Sequence, residues 1–301
     1  MRIAYKTNSG ICYYGLIEKV LNSKKFDKYK NKINLIFTSP PFPLNRKKKY
    51  GNLNGIEYVN WFSNFALLFK DYLTGDGSIV IEVGNSWESG KPVMSTLAIE
   101  SLLNFLNVGD YSLCQQFVWY NPAKLPGPAQ WVTIDRNRVK DSFTHIWWMS
   151  KTPYPKADNR NILVEYSNSM KKLLKEKKYN YGIRPSEHKI GEKSFLENNS
   201  GAISSNVITV ANTHSNNIYN KYCKENNLKM HPARMPEKIP EFFIKFLTDK
   251  HDLILDPFAG SNTTGSVAEH LNRKWISVEP NIDYINGSIG RFKKLKYRNL
   301  S

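Results

Sequence analysis

Two short stretches of this chain combine side-chain types and spacing that can do chemistry. The first is DLILDPFAGSNTTGSVAEHLNRKWISVEP, residues 252–280. A β-leaning run ends at Asp256, a glycine-bearing turn (Gly260 to Gly265) opens a helical run, and a second β-leaning run ends at Glu279. Glycines let a backbone approach a ligand closely, and an acid after the second strand can accept hydrogen bonds from ribose hydroxyls. The spacing is not G-x-G-x-x-G, and Gly265-Ser266 lacks the lysine of a phosphate-binding G-K-[ST] loop. The pattern suits a ligand with an adenosine and an amino-acid tail but no phosphate: S-adenosylmethionine. Asp256 would then face its ammonium group, and the loop amides its tail.

The second stretch is Thr38-Ser39-Pro40-Pro41-Phe42, again at the end of an apolar β-leaning run. It suits methylation of an exocyclic amine. Such a nitrogen is a poor nucleophile because its lone pair is delocalised into the ring. Acceptors facing both N–H groups would pull it toward tetrahedral geometry. Ser39 Oγ and the Pro40 carbonyl can supply them, with two prolines holding the carbonyl rigidly. Phe42 can stack on a base turned out of the duplex, which this chemistry requires. Methylation at cytosine C5 would instead need a thiolate, normally from a Pro-Cys pair. Cys12, Cys114 and Cys223 each follow a non-proline residue, which excludes it.

The elements that must position these residues are legible in outline. Ile33 to Thr38 reads as a buried strand, residues 57–73 as a helix, and Gly77 to Val83 as a strand. Thr96 to Leu106 reads as a helix, and Leu113 to Trp119 and His145 to Met149 as strands, with Trp147 and Trp148 in the core. Residues 121–142 form a long loop rich in proline and cations. From about Lys151 to Leu228 the chain is polar and rich in Asn, Ser and Lys. Periodicity then returns with a helix at Glu241 to Thr248, a strand at Asp252 to Leu255, a helix at Ser266 to Leu271 and a strand at Trp275 to Val278. Strands alternating with helices predict an α/β fold with a mostly parallel sheet.

Composition bounds the partners. With 43 Lys and Arg against 26 Asp and Glu, the formal charge of +17 favours a polyanion. Arg46, Lys47, Lys48 and Lys49 lie just beyond the second motif, and Lys124 and Arg138 lie on the long loop with Arg136 and Lys140. All are candidates for phosphate contact. His188 and Arg184 are weaker candidates for contacts to base edges. No apolar run approaches the ~18 residues of a membrane span, and the first residues lack a signal-peptide pattern. The expectation is a cytoplasmic protein, nucleoid-associated when bound to DNA. Three separated cysteines and six scattered histidines predict neither a disulfide framework nor a metal site.

Residues 38–42 and 256–265 resemble the catalytic and cofactor signatures of amino-group DNA methyltransferases. Their order, catalytic motif first, matches the permuted β subgroup. YNPAKLPGPAQW (120–131), RVKDSFTHIWWMSK (138–151), RPSEHKIGEKSF (184–195) and HPARMPEKIPEFF (231–243) resemble the PvuII type of N4-cytosine methyltransferase. The resemblance implies a circularly permuted, Rossmann-like S-adenosylmethionine-dependent methyltransferase fold with one antiparallel strand, plus a small irregular target-recognition region. It implies cofactor contacts from Thr38, Asp256, Pro257, Phe258, Gly260, Ser261, Asn262, Thr263 and Glu279, with His231, Pro232 and Arg234 closing the pocket. Base capture falls to Ser39, Pro40, Pro41 and Phe42. Residues 1–151 would form the catalytic half, 152–230 the target-recognition region and 231–301 the cofactor half. The loop Asp-Pro-Phe-Ala-Gly-Ser-Asn departs from relatives that carry a second glycine, a difference that bears on packing.

Serine at position 39 favours cytosine N4, because N6-adenine enzymes of this family usually carry Asp or Asn there. Adenine N6 stays open as the alternative. Methylation of RNA or of a protein amide, where similar loops occur, is a second, and a catalytically idle DNA-binding module a third. The PvuII type implies double-stranded DNA with a palindromic site such as CAGCTG. A monomer acting once per strand is expected, beside a cognate restriction endonuclease acting on the same site without a stable complex.

Overall fold

A computed structural model describes residues 2–42, 55–213 and 217–298. The first half contains β1 (Arg2–Lys6), β2 (Gly10–Tyr14), α1 (Ile17–Leu21), β3 (Ile33–Thr38), α2 (Gly55–Tyr72) and β4 (Leu73–Gly84). There follow α3 (Leu97–Gly109), β5 (Ser112–Tyr120), β6 (Phe143–Ser150), α4 (Asn168–Glu176), β7 (Gly182–Ile183) and β8 (Lys189–Ile190). The last part holds β9 (Val207–Thr209), α5 (Ile218–Glu225), α6 (Lys238–Leu247) and β10 (Leu253–Asp256). It closes with α7 (Thr263–His270), β11 (Lys274–Glu279), α8 (Ile282–Ser288) and β12 (Tyr297–Arg298).

Two compact units result. The larger comprises Met1–Ala157 with Asn206–Ser301, the smaller Asp158–Ser205. In the larger unit, described strands form one sheet in the order β12-β1-β2-β11-β10-β3-β4-β6-β5-β9. Strands β2, β11, β10, β3 and β4 run parallel. Strand β6 is antiparallel to β4 and β5 on either side, the reversed strand that the resemblance implies. A second reversal, not anticipated, is the β1–β2 hairpin at the edge. Its strands are only five residues each, too short for a periodicity to stand out.

The strands are apolar on both faces, as a sheet covered twice requires. In β4, Ile79, Ile81 and Val83 enter the core under α2 and α3, while Val80 faces the core under α6. In β6, Trp147 and Met149 join the first core and Ile146 and Trp148 the second. Both tryptophans are core residues, at 1% and 8% exposure. Because β3 leads through α2 to β4 on one side and β10 leads through α7 to β11 on the other, connectivity diverges between β3 and β10. That switch point is where an open α/β sheet leaves a crevice at its carboxyl edge.

The smaller unit is built differently. No residue from 158 to 200 is fully buried. Ser167 caps α4 by accepting the Met170 N–H at 3.2 Å, and Tyr179 packs edge-on against Phe195. The β7–β8 hairpin turns through residues 184–188, where the Arg184 N–H donates to the His188 carbonyl. The polar stretch seen in sequence is longer than this unit. Residues 206–213 and 217–230 fold with the larger one, since β9 extends the sheet beside β5 and Tyr219 and Cys223 of α5 are buried.

Candidate active site

The parallel strands β10 and β3 end side by side. Thr38 Oγ1 at the end of β3 donates a 2.8 Å hydrogen bond to Asp256 Oδ1 at the end of β10. The Phe258 N–H reaches the same oxygen at 3.1 Å. Asp256 is 5% exposed, and burial pushes its carboxyl up to about 6 against the pull of hydrogen bonds from Thr264, Thr38 and Phe258. On the neighbouring strand, Glu279 accepts the Gly260 N–H on Oε2 and the Asn281 N–H on Oε1, each at 2.8 Å. Burial pushes Glu279 up to about 7, and the nearby Asp256 charge adds to the rise. Two buried carboxylates held ionisable by backbone amides favour a ligand bringing a cation and hydroxyl donors. These are the ammonium and ribose of S-adenosylmethionine, so the residues fit that cofactor.

The glycine loop is shaped by its neighbours. Gly260 sits at φ +50°, and a Cβ there would come within 2.9 Å of His231 Nε2. Asn262 is wholly buried at φ 52°, and its side chain turns inward. Its Oδ1 caps α7 at the Gly265 N–H and accepts from Ser277 at 2.6 Å, while its Nδ2 donates to Tyr5 at 2.8 Å. Ser261 and Thr263 are buried beside it, 3.3 Å apart through their hydroxyls. These three positions hold the loop in shape from within. Phe258 packs edge-on against Trp61 and Phe65, and Trp61 donates to Glu18 at 3.0 Å.

His231 joins this loop through a cluster with little sequence signature. Its N–H donates to Tyr219 at 2.8 Å, its carbonyl accepts from Arg234 at 2.8 Å, and its ring meets Tyr284. Burial pushes its imidazole down to about 4, with the charges of Arg234 and Arg291 acting in the same direction. Pro232 is exposed. Arg291, with 3% of its side chain exposed, donates to the Ser261 carbonyl at 2.7 Å and pairs with Glu237 at 3.0 Å. Its guanidinium lies 4.8 Å from the Tyr219 ring centre. Motif reading did not find Arg291, which stands alone in an unpatterned C-terminal stretch.

On the catalytic side, Ser39 Oγ donates to Glu82 Oε2 at 2.5 Å. Glu82, in β4, is 3% exposed, and burial pushes it up to about 7 despite Ser39, Thr144 and the charge of Lys124. Glu82 Oε1 is buried without a hydrogen bond of ordinary geometry. This residue was missed in the sequence. The signal was there: one acid inside the apolar run Ile79 to Val83. Tyr58 donates to the Pro41 carbonyl at 2.7 Å, fixing the proline loop to α2. The Phe42 ring lies against Gly84, where a Cβ would come within 2.5 Å of it.

Beyond Glu82, Asn85 donates to Asp141 at 2.8 Å, and Asp141 pairs with Lys124 at 3.8 Å. Arg138 is exposed and donates to the Pro92 carbonyl at 3.0 Å. Arg46, Lys47, Lys48 and Lys49 lie outside the described residues. A cavity of about 650 Å³ lies at the opposite, amino edge of the sheet, among Lys6, Lys32, Lys274 and Trp275, and contains none of these site residues.

The chain is similar to known proteins over nearly its whole length. A family model described as DNA methylase matches residues 33–290. The type II methyltransferase M.PvuII of Proteus hauseri is 44% identical over 291 residues, 96% of this chain and 85% of that one. The orphan methyltransferase M.BamHII of Bacillus amyloliquefaciens is 27% identical, over 87% of this chain and 89% of its own. Among solved structures, the cytosine-N4-specific PvuII DNA methyltransferase superposes with a TM-score of 0.77 at 38% identity, covering 97% of this chain and 89% of that one. A complex of M1.HpyAVI with S-adenosylmethionine shares the fold, with a TM-score of 0.54 at 18% identity over 94% of this chain and 98% of that one.

Proposed function

We propose that this chain, which belongs to the DNA methylase family, transfers a methyl group from S-adenosylmethionine to the N4 amine of cytosine in a short duplex site. The observation that carries the reading is the Thr38–Asp256 bond, which sets the cofactor carboxylate beside the catalytic serine. When bound, S-adenosylmethionine supplies an electrophilic methyl group on a sulfonium.

The chain's own groups do the rest. Asp256 would receive the ammonium and Glu279 the ribose, with Gly260 leaving room for the His231 ring that packs on the loop. Because Ser39 donates its proton to Glu82, its lone pairs are left free to accept an incoming N–H. The Pro40 carbonyl takes the second N–H, and the Tyr58 bond to Pro41 keeps that loop rigid. As the N–C bond forms and the S–C bond breaks, the amine sheds a proton. It passes to Ser39 Oγ while the serine proton moves to Glu82, whose pKa of about 7 suits an acceptor at neutral pH.

The substrate is double-stranded DNA, favoured by the +17 charge. Phosphate contacts fall to Lys124 and Arg138, with Arg46, Lys47, Lys48 and Lys49 assigned on sequence alone. Base reading falls to the stretch 152–230. CAGCTG is the site to test first. One chain acts on each strand in turn, in the cytoplasm and on the nucleoid, with a restriction endonuclease sharing the site. No described helix is long and apolar enough to cross a membrane.

The deciding experiment incubates the protein with plasmid DNA and S-adenosylmethionine, then identifies modified nucleosides by mass spectrometry and maps them by sequencing. N4-methylcytosine in one recurring site is expected. N6-methyladenine would overturn the base assignment, and unmodified DNA the activity itself.

A further inference from the structure

Between β5 and β6 the chain puts apolar side chains where the core cannot use them. Leu125 is 82% exposed, Val139 85% and Ile134 67%, all in the one loop that also carries Lys124, Arg136, Arg138 and Lys140. Scattered exposed apolar residues need no explanation. Here, however, all three belong to one cation-bearing loop that is braced as a unit. The Asn121 N–H donates to the Ser142 carbonyl at 2.8 Å, and the Asp141 N–H to the Gly127 carbonyl at 3.2 Å. Lys140 Nζ closes onto the Pro122 carbonyl at 3.2 Å.

The loop is also tied to the catalytic residues. Asp141 is held by Asn85, three positions beyond Glu82, and the Lys124 charge is near enough to Glu82 to lower its pKa. Leu125 therefore follows directly on a lysine whose ion pair with Asp141 ties the loop to Asn85, just past the strand that carries Glu82. Cations that suit phosphates and exposed apolar side chains that suit a base stack, carried on one loop, are together complementary to duplex DNA.

We propose that Leu125 is a wedge: it enters the stack at the place vacated by the target nucleotide, with Val139 alongside. Extruding a base costs the enzyme its stacking and pairing. An apolar side chain filling the gap recovers part of that cost and slows the return of the base, as apolar wedges do between base steps elsewhere. Lys124 and Arg138 hold the flanking backbone. The proposal rests on the methylation reading above and deepens it.

The test uses the full chain and a synthetic duplex carrying the mapped site, in two forms. In one the target cytosine is paired with guanine; in the other it faces an abasic residue, so that little holds it in the helix. Leu125→Ala should slow single-turnover methylation of the paired duplex on the order of tenfold to a hundredfold. The abasic-opposed duplex should restore most of the loss, and Leu125→Met, which keeps the bulk, should stay within about threefold of the parent on both. Affinity for S-adenosylmethionine should not change, which also shows that the exposed truncation leaves the fold intact. Equal loss on both duplexes, or no loss on either, overturns the wedge. Failure of the parent protein to methylate either duplex would instead sink the methylation reading, so the two failures are distinct.

Discussion

Thr38 and Asp256 are 218 residues apart in sequence, yet the threonine hydroxyl donates to the aspartate at 2.8 Å. The bond joins the last residue of one parallel strand to the last residue of its neighbour. It links the half of the chain that would hold the amine to the half that would hold the methyl donor. Thr38→Val keeps the shape and removes the donor. A hydrogen bond to a charged group contributes about 1.5–3 kcal/mol, so calorimetry should find S-adenosylmethionine bound roughly tenfold more weakly. Unchanged affinity would mean that the Thr38 bond plays no part in holding Asp256 for the cofactor.

Ser39→Ala separates binding from chemistry. The serine hydroxyl faces Glu82 and not the glycine loop. Loss of one positioned proton carrier should lower kcat about a hundredfold, with the Kd for S-adenosylmethionine held within about twofold. A parallel fall in cofactor affinity would recast Ser39 as a pocket residue.

Glu82 gives the rate a pH dependence of definite sign. As an acceptor it must be ionised, so kcat should fall as pH drops through about 7. Glu82→Gln should be slow at every pH and lack that limb. Stability moves the other way. The folded-state pKa is raised above the unfolded one, so the folded state binds the proton more tightly, and stability falls as pH rises from the usual carboxylate range through about 7. Glutamine carries no such charge. Thermal melts at pH 8 should therefore give Glu82→Gln a Tm at or above that of the parent, and a lower Tm would contradict the burial argument.

Arg291 should act on the cofactor through Ser261. Arg291→Ala leaves the buried Ser261 carbonyl without its 2.7 Å donor, which costs about 2 kcal/mol of stability. It should also weaken S-adenosylmethionine binding more than DNA binding, because the loop it braces is the one proposed to face the cofactor. Arg291→Lys, with one ammonium in place of the guanidinium fork, should recover only part of the affinity. Native cofactor affinity in the alanine variant would confine Arg291 to packing.

Several elements are legible in the sequence because their signals are local. Ile33–Thr38 is a strand with the bounds its apolar run and following prolines suggest. The turn after Asp256 and the helix beyond it follow from Gly260, Asn262 and Gly265, residues whose backbone and capping preferences act over a few positions. The β1–β2 hairpin was not legible, since short strands carry little periodicity. Nor was the assignment of α5 to the larger unit. Its eight residues look as polar as the insert before them, and only their packing shows that Tyr219 and Cys223 are buried.

For the candidate site the division is sharper. The sequence alone determined which residue types could do the chemistry and that each motif ends a strand, because strand ends, glycine turns and proline loops are encoded by neighbours along the chain. Only the tertiary structure decided that those two strand ends adjoin, that Ser39 meets a buried Glu82, that Asn262 turns inward and that Arg291 clamps the glycine loop. Those facts depend on the order of strands in the sheet and on contacts between residues tens to hundreds of positions apart. No local preference of the chain specifies them.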